Sequence, residues 1–238
     1  SSVMAGGFLF RGAKVIGNGR RLQGKHSRGN VKQARSPAKD AGAGPRGGPC
    51  AARLDQALSR LMQLYHFSDD PGIAVFEPRP VRVPSVRPPG RDWLNGPLVW
   101  AIEDAWQALY LFPRDYPRIL LFPRDDTTAA DRIAWFGASP ARVIAFMEWD
   151  GLEALRTATL YRYALPTAPF EDLNDAGMWV ARQPVTPLAC ETLIDLPAAL
   201  REAGVELRLT ETLTHLRPVW DTTLHASGVR LRHAKDWT

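Results

Sequence analysis

The segment Leu64-Tyr65-His66-Phe67-Ser68, followed by Asp69-Asp70-Pro71-Gly72, decides the fold. It is an aromatic-rich run closed by turn residues, so it reads as a strand entering a loop. On a strand, Tyr65 and Phe67 share one face, while Leu64, His66 and Ser68 share the other. A histidine on an inward face, close to a hydroxyl at a strand exit, can hydrogen-bond a sugar or a carbonyl. The same position also suits a satisfied core histidine.

Downstream, residues 77–97 carry six prolines and six charged side chains, which predicts a long surface loop. Strands are expected at 98–102 (LVWAI), 118–122 (RILLF), 141–149, 160–166, 178–185 and 205–209 (VELRL). Helices are expected at 103–112, at 128–136 with Thr127 or Thr128 as N-cap and Gly137 as C-cap, and from an Asp150 cap to Arg156. Another is expected at 195–203 before Gly204, and a last one at 211–226 interrupted by Pro218. The final residues, from Ser227 on, give no clear pattern. FPRD occurs twice, at 112–115 and 122–125, each time at the exit of an element. Strands and helices do not alternate as βαβ units, so the pattern predicts an α+β domain with a mostly antiparallel, split sheet.

Upstream, residues 1–50 hold ten Lys or Arg, one acid (Asp40) and 11 of the 19 glycines. Such a stretch cannot bury enough apolar surface to offset the entropy of ordering it. Residues 1–61 are expected to be a disordered basic leader, despite short helical periodicity at 51–61, and residues 62–238 one globular domain. The leader reads either as an extension foreign to the fold, with Met62 a natural start, or as a basic arm for nucleic acid or a membrane surface. The whole chain has a formal charge of +5, but residues 1–50 alone carry +9, so residues 51–238 carry −4. Nucleic acid is therefore not an expected partner, except through the leader.

Hydrophobic residues make up 45% of the chain and charged residues 23%, ordinary values for a globular protein. No apolar run of transmembrane length occurs, and no membrane partner is expected. The two cysteines, Cys50 and Cys190, form no CxxC pair. Cys190 is expected to be a buried thiol, and the usage fits a reducing, cytoplasmic compartment. There is no GxGxxG at a strand–helix turn, no GxxxxGK[ST], no GxSxG and no HExxH. His215 and His225, ten residues apart in the expected last helix, do not share a face cleanly. No metal is expected.

The pattern Leu64-Tyr65-His66-x-Ser68 resembles the first motif of ADP-ribosyltransferase-like folds, including the tRNA 2′-phosphotransferase relatives. The resemblance implies NAD as a nucleotide ligand, with His66 on the nicotinamide-side ribose. The family usually has glycine after that histidine; here it is Phe67. Residues 99–110, VWAIEDAWQALY, look like a second motif, with Trp100 and Ala101 on the strand, Ala108 and Tyr110 on the helix, and Tyr110 stacking the base. The third element would be Glu206 in VELRL, orienting the ribose hydroxyl. His66, Tyr110 and Glu206 would then be catalytic, cleaving an N-glycosidic bond with support for an oxocarbenium-like centre. Ser68, Trp100, Arg79 and Arg82 would complete the cofactor site. Residues 62–234 also look like an uncharacterised bacterial family with phrases such as DPGI, FEPRP, LVWAI, FPRD and a terminal SGxRxR; that resemblance brings no activity.

Beyond residue 50 the chain has 19 Arg and a single Lys, Lys235. Arginine offers planar, bidentate recognition of phosphate. Arg79, Arg82, Arg87 and Arg91 in the Pro-rich loop, and Arg230 with Arg232 near the end, are candidates to hold a pyrophosphate or a nucleic-acid end. The alternative to an enzyme is a non-catalytic binding or interaction domain of the same fold. The sequence leaves the oligomeric state open.

Overall fold

A computed structural model describes residues 63–237. The expected leader and the periodicity at 51–61 lie outside the described residues. The strands are β1 (Leu64–Ser68), β2 (Val99–Glu103), β3 (Arg118–Phe122), β4 (Val143–Glu148), β5 (Leu160–Leu165), β6 (Glu171–Asp172), β7 (Met178–Ala181), β8 (Ala189–Leu193), β9 (Val205–Thr210) and β10 (His225–Val229). The α-helices are short: α1 (Ala129–Phe136), α2 (Leu152–Thr157) and α3 (Leu196–Glu202).

Two sheets form, in the orders β6-β7-β2-β1-β5-β8 and β10-β3-β4-β9. All pairings are antiparallel except β4 with β9, which is parallel. This is the expected α+β architecture with antiparallel pairing dominant.

Side-chain alternation explains the layering. Phe67, Trp100, Ile102, Met178 and Val180 of the first sheet share a core with Leu120, Phe122, Val143, Ala145 and Met147 of the second. That cluster therefore lies between the sheets. Leu64, Val99, Ala101, Tyr163 and Leu165 face the other way, under Phe76, Phe170 and Val185 from the loops. Ile119, Leu121, Ile144 and Phe146 line the outer face of the second sheet, under Phe136, Leu213, Leu216 and Val219.

Local chemistry fixes the helix ends. Thr128 caps α1 by accepting the Asp131 N–H, and Gly137 ends it at φ 60°. Asp195 caps α3 by accepting the Ala198 N–H. Several expectations are corrected. The 103–112 helix is a 3-10 helix, Asp104–Tyr110, and α2 starts from Gly151 without a side-chain cap, Asp150 lying in the preceding 3-10 turn. The 178–185 strand stops at Ala181. Residues 211–226 are not one helix: a 3-10 helix spans Thr214–Asp221, and the chain then enters β10. His225-Ala-Ser-Gly-Val has little strand propensity, and pairing along the whole of β3 makes it a strand. β8 was also missed, because its residues are largely exposed on a sheet edge and show no apolar alternation. Cys190 sits there, exposed rather than buried.

Candidate functional site

β1 pairs with β5 along all five of its residues, but with β2 only at Leu64 and Tyr65. Beyond Tyr65 the two central strands part. Continued in register, His66 would face Ala101. Instead its Nδ1–H donates to the Trp100 carbonyl at 2.8 Å, so the imidazole takes over a backbone bond. His66 packs on Phe76 with ring centroids 4.6 Å apart and is 3% exposed. Burial, helped by the charge of Arg114, lowers its pKa to about 4 and keeps it neutral.

That shift has a thermodynamic consequence. Between pH 6.5 and about 4 the unfolded chain binds a proton at His66 that the folded protein does not. The stabilisation is complete above pH 6.5 and is lost as pH falls through 4. The expected loss reaches about 3 kcal/mol, and urea midpoints measured across that range check it. A His66→Gln variant should show a flatter profile over the same window.

Four aromatic or thioether side chains line the inter-sheet side of the parting. Phe67 stacks on Tyr110 at 6.2 Å and 16°. The Tyr110 hydroxyl meets the Met178 sulfur at 3.6 Å, and burial raises its pKa. Trp100 is 7% exposed, and its indole Nε1 is buried with no hydrogen-bond partner among the described residues. An orphaned buried donor costs about 1–3 kcal/mol, so its retention asks for a reason. Arg87 lies over the Trp100 ring at 5.8 Å and is held on its Nε side by Asn95.

A cluster of arginines closes the same end of the sandwich. Arg118, 3% exposed, donates to the carbonyls of Leu109 (2.8 Å), Tyr116 (3.0 Å) and Pro113 (3.4 Å). Arg114 pairs with Asp69 at the exit of β1. Arg230, its side chain 7% exposed, donates through Nε to the Arg114 carbonyl and lies 3.6 Å from Asp115. Its backbone is left-handed, at φ 58°, an unusual setting for a non-glycine residue. Its terminal Nη atoms make no hydrogen bond among the described residues. Burial is the first cause of the lowered pKa of both Arg118 and Arg230; Arg230 further disfavours the charge of Arg118, and Arg232 and Arg114 that of Arg230. The first FPRD copy thus supplies Arg114 and Asp115 to the cluster. The second copy makes a surface pair, Arg124 with Asp126.

The sequence-predicted residues do not converge. Tyr110 lies in the layer between the sheets. His66 lies on the outer face of the first sheet, with Phe76. Glu206 lies on the outer face of the second. There it pairs with Arg208 at 2.7 Å and accepts from Ser139, which lowers its pKa. Arg208 in turn packs on Phe146 and donates to the Trp135 and Phe136 carbonyls, all of that outer layer. Alternation along β9 explains it: Val205, Leu207 and Leu209 turn inward, which turns Glu206 outward. The structure therefore places Trp100 and Tyr110 in one layer, with His66 bonded to the Trp100 carbonyl from the other face of the sheet, and leaves Glu206 in another layer. Ser68 is buried and accepts the Asp70 N–H as a turn cap. Arg79 and Arg82 are exposed, and Arg87 is the member of that loop seen over a predicted site residue. Arg232 is exposed. His225 is not helical; it packs on Trp106 and Phe122, and burial lowers its pKa to about 4.

Sequence reasoning missed Arg114, Arg118 and Asp175. Asp175 is half-buried in the turn before β7, and burial raises its carboxyl pKa against the pull of Arg91 and Arg87. Among the described residues, no group of three or more His, Cys, Asp or Glu could hold a metal ion, and no helix is long and apolar enough to cross a membrane. A family model matches residues 65–234, well over half of the chain. No curated protein and no solved structure matches it.

Proposed function

Since the chain belongs to a family of unknown function, DUF6886, membership assigns no activity, and we propose from the geometry that the domain binds a nucleotide of the NAD or ADP-ribose class where β1 and β2 part. One observation carries this reading: the Arg230 side chain is 7% exposed, its terminal nitrogens make no hydrogen bond among the described residues, and it stands with Arg114 and Arg118. Buried cations are normally matched by buried carboxylates. Here the nearest carboxylate, Asp115, is exposed, so an external anion would complete the balance. A diphosphate suits paired guanidinium groups, which bind its oxygens in a planar, bidentate way. Tyr110, within electrostatic reach of Arg230, stacks on Phe67 and shares the inter-sheet layer with Trp100, aromatic surface of the kind a base or nicotinamide ring uses.

The proposal is for binding. Transfer chemistry through Glu206 is not part of it, because that carboxylate is spent on Arg208 and Ser139 in another layer. Calorimetric titration of the full chain with ADP-ribose tests the reading. The wild type should bind, and Arg230→Met should weaken binding about tenfold or more, the loss expected of one charge-assisted pair. No heat of binding in the wild type, or equal affinity in Arg230→Met, would contradict it.

A further inference from the structure

We infer that the cavity beside residues 231–237, lined by the buried Glu148 carboxylate, binds the ammonium head of a small primary alkylamine. Its volume is about 140 Å³, and Glu148, Asp150, His233 and Lys235 supply its polar walls. Alternation along β4 turns Glu148 to the outer face of the second sheet, with Ile144 and Phe146. Leu231, Ala234 and Trp237 pack against that face, and Glu148 is only 5% exposed. Its Oε1 accepts the Lys235 N–H at 3.0 Å. Its Oε2 makes no hydrogen bond, and the carboxylate makes no ion pair, among the described residues. A buried carboxylate normally has a cation against it. The lysine at hand is engaged elsewhere: Lys235 Nζ holds Asp150 at 2.7 Å, and both of these side chains reach solvent. The bond to Asp150, and then the charges of Asp150, Glu148 and Glu211, raise the Lys235 pKa. Three carboxylates thus draw on one ammonium, and the most deeply buried of them is left unmatched.

The other walls select among cations. His233 directs Nδ1 to the Asp115 carbonyl at 2.8 Å, so that nitrogen carries the hydrogen and the neutral ring offers Nε2 as an acceptor. Neither His233 Nε2 nor the Tyr116 hydroxyl makes a hydrogen bond among the described residues. An ammonium has three N–H donors and no acceptor, which matches Glu148 Oε2, His233 Nε2 and the Tyr116 oxygen. A metal ion does not match, since no group of three or more His, Cys, Asp or Glu among the described residues could hold one. An anion would meet Glu148 with like charge. Tyr116, Pro117 and Met147 add apolar wall beside the acceptors, which suits a short hydrocarbon stem. A cavity of about 150 Å³ holds benzene, so the ligand is limited to about six non-hydrogen atoms. Gly151 keeps the space open: an added Cβ would collide with Met147 Cε and stand 2.8 Å from Tyr116 Cδ1.

Amide chemical-shift titration of the full chain with n-butylammonium chloride tests this, at neutral pH in about 0.15 M KCl, where surface attraction is screened. n-Butanol, with the same number of non-hydrogen atoms and no charge, is the comparison. Butylammonium should give saturable shifts at residues 115–117, 147–151 and 233–235, and butanol at the same concentration none there. Glu148→Gln keeps an acceptor for the Lys235 N–H but removes the charge, and should weaken butylammonium about tenfold or more. Glu153→Gln, the same change at an exposed position of α2, should leave the affinity unchanged. Gly151→Ala drives Met147 or Tyr116 into the cavity and should also weaken binding, and it carries the test if thermal melts show that Glu148→Gln does not fold. No saturable shift in the wild type, shifts centred elsewhere, or equal binding of butanol overturns the inference. Unchanged affinity in a folded Glu148→Gln or Gly151→Ala overturns it as well, and so does an equal loss in Glu153→Gln, which would reduce the effect to net charge.

Discussion

Replacing Arg118 by methionine should destabilise the protein by about 3–5 kcal/mol, the cost of breaking a buried charged network. Methionine matches the length of the aliphatic stem but donates nothing. The carbonyls of Leu109, Pro113 and Tyr116 would each lose a partner, in a segment that is largely buried. The contact of the guanidinium with the Phe112 ring, at 5.2 Å, would also go. Part of the cost is returned, because a desolvated cation is removed. The balance still favours a large loss, since unpaired buried carbonyls cost about 1–3 kcal/mol each. Urea unfolding at neutral pH checks it: the midpoint should fall with little change in slope. A loss below about 1 kcal/mol would mean that the 109–117 segment holds its shape without this cation. The segment carries Tyr110, Arg114 and Asp115, so its loosening would disturb every element of the arginine cluster.

Gly177→Ala is expected to cost about 2–4 kcal/mol, from left-handed backbone strain and overpacking together. Gly177 has φ 67°, and an added Cβ would stand 2.3 Å from Trp106 Cδ1, 2.8 Å from its Cγ and 3.2 Å from Glu103 Cβ. Trp106 has little room to yield, being wedged against Phe122 at 4.5 Å and His225 at 4.9 Å. The Gly177 carbonyl also accepts the Glu103 N–H at 2.9 Å, joining β7 to the end of β2. Thermal unfolding gives the direct measurement. A neutral result would show that the turn relaxes freely around an added Cβ.

How far the sequence carries depends on the range of the interaction that makes each feature. β1, β2, β3, β5 and β9 are legible because apolar and aromatic runs bounded by Pro, Gly or Asp are local signals. The α1 and α3 caps are legible for the same reason: Thr128 and Asp195 act on N–H groups three residues on. β8 and β10 are not legible, since their conformation is imposed by β5 and β3 across the sheet. The site follows the same logic. His66, Trp100 and Tyr110 stand out by residue type, and their neighbourhood is what the fold determines. Glu206 stands on a legible strand, but alternation along β9 sends its carboxylate outward, where it meets Arg208 two residues away. Arg118 begins an apolar strand and gives no sign of its burial. Asp175 lies in a polar turn whose left-handed geometry no local motif announces.

The most direct examination is a crystal structure of the full chain grown with ADP-ribose. The account predicts a diphosphate oxygen within hydrogen-bond distance of an Arg230 Nη atom, with the ligand running into the parting of β1 and β2. Density for the ligand elsewhere on the protein, with the Arg230 terminal nitrogens still without an acceptor, would contradict it.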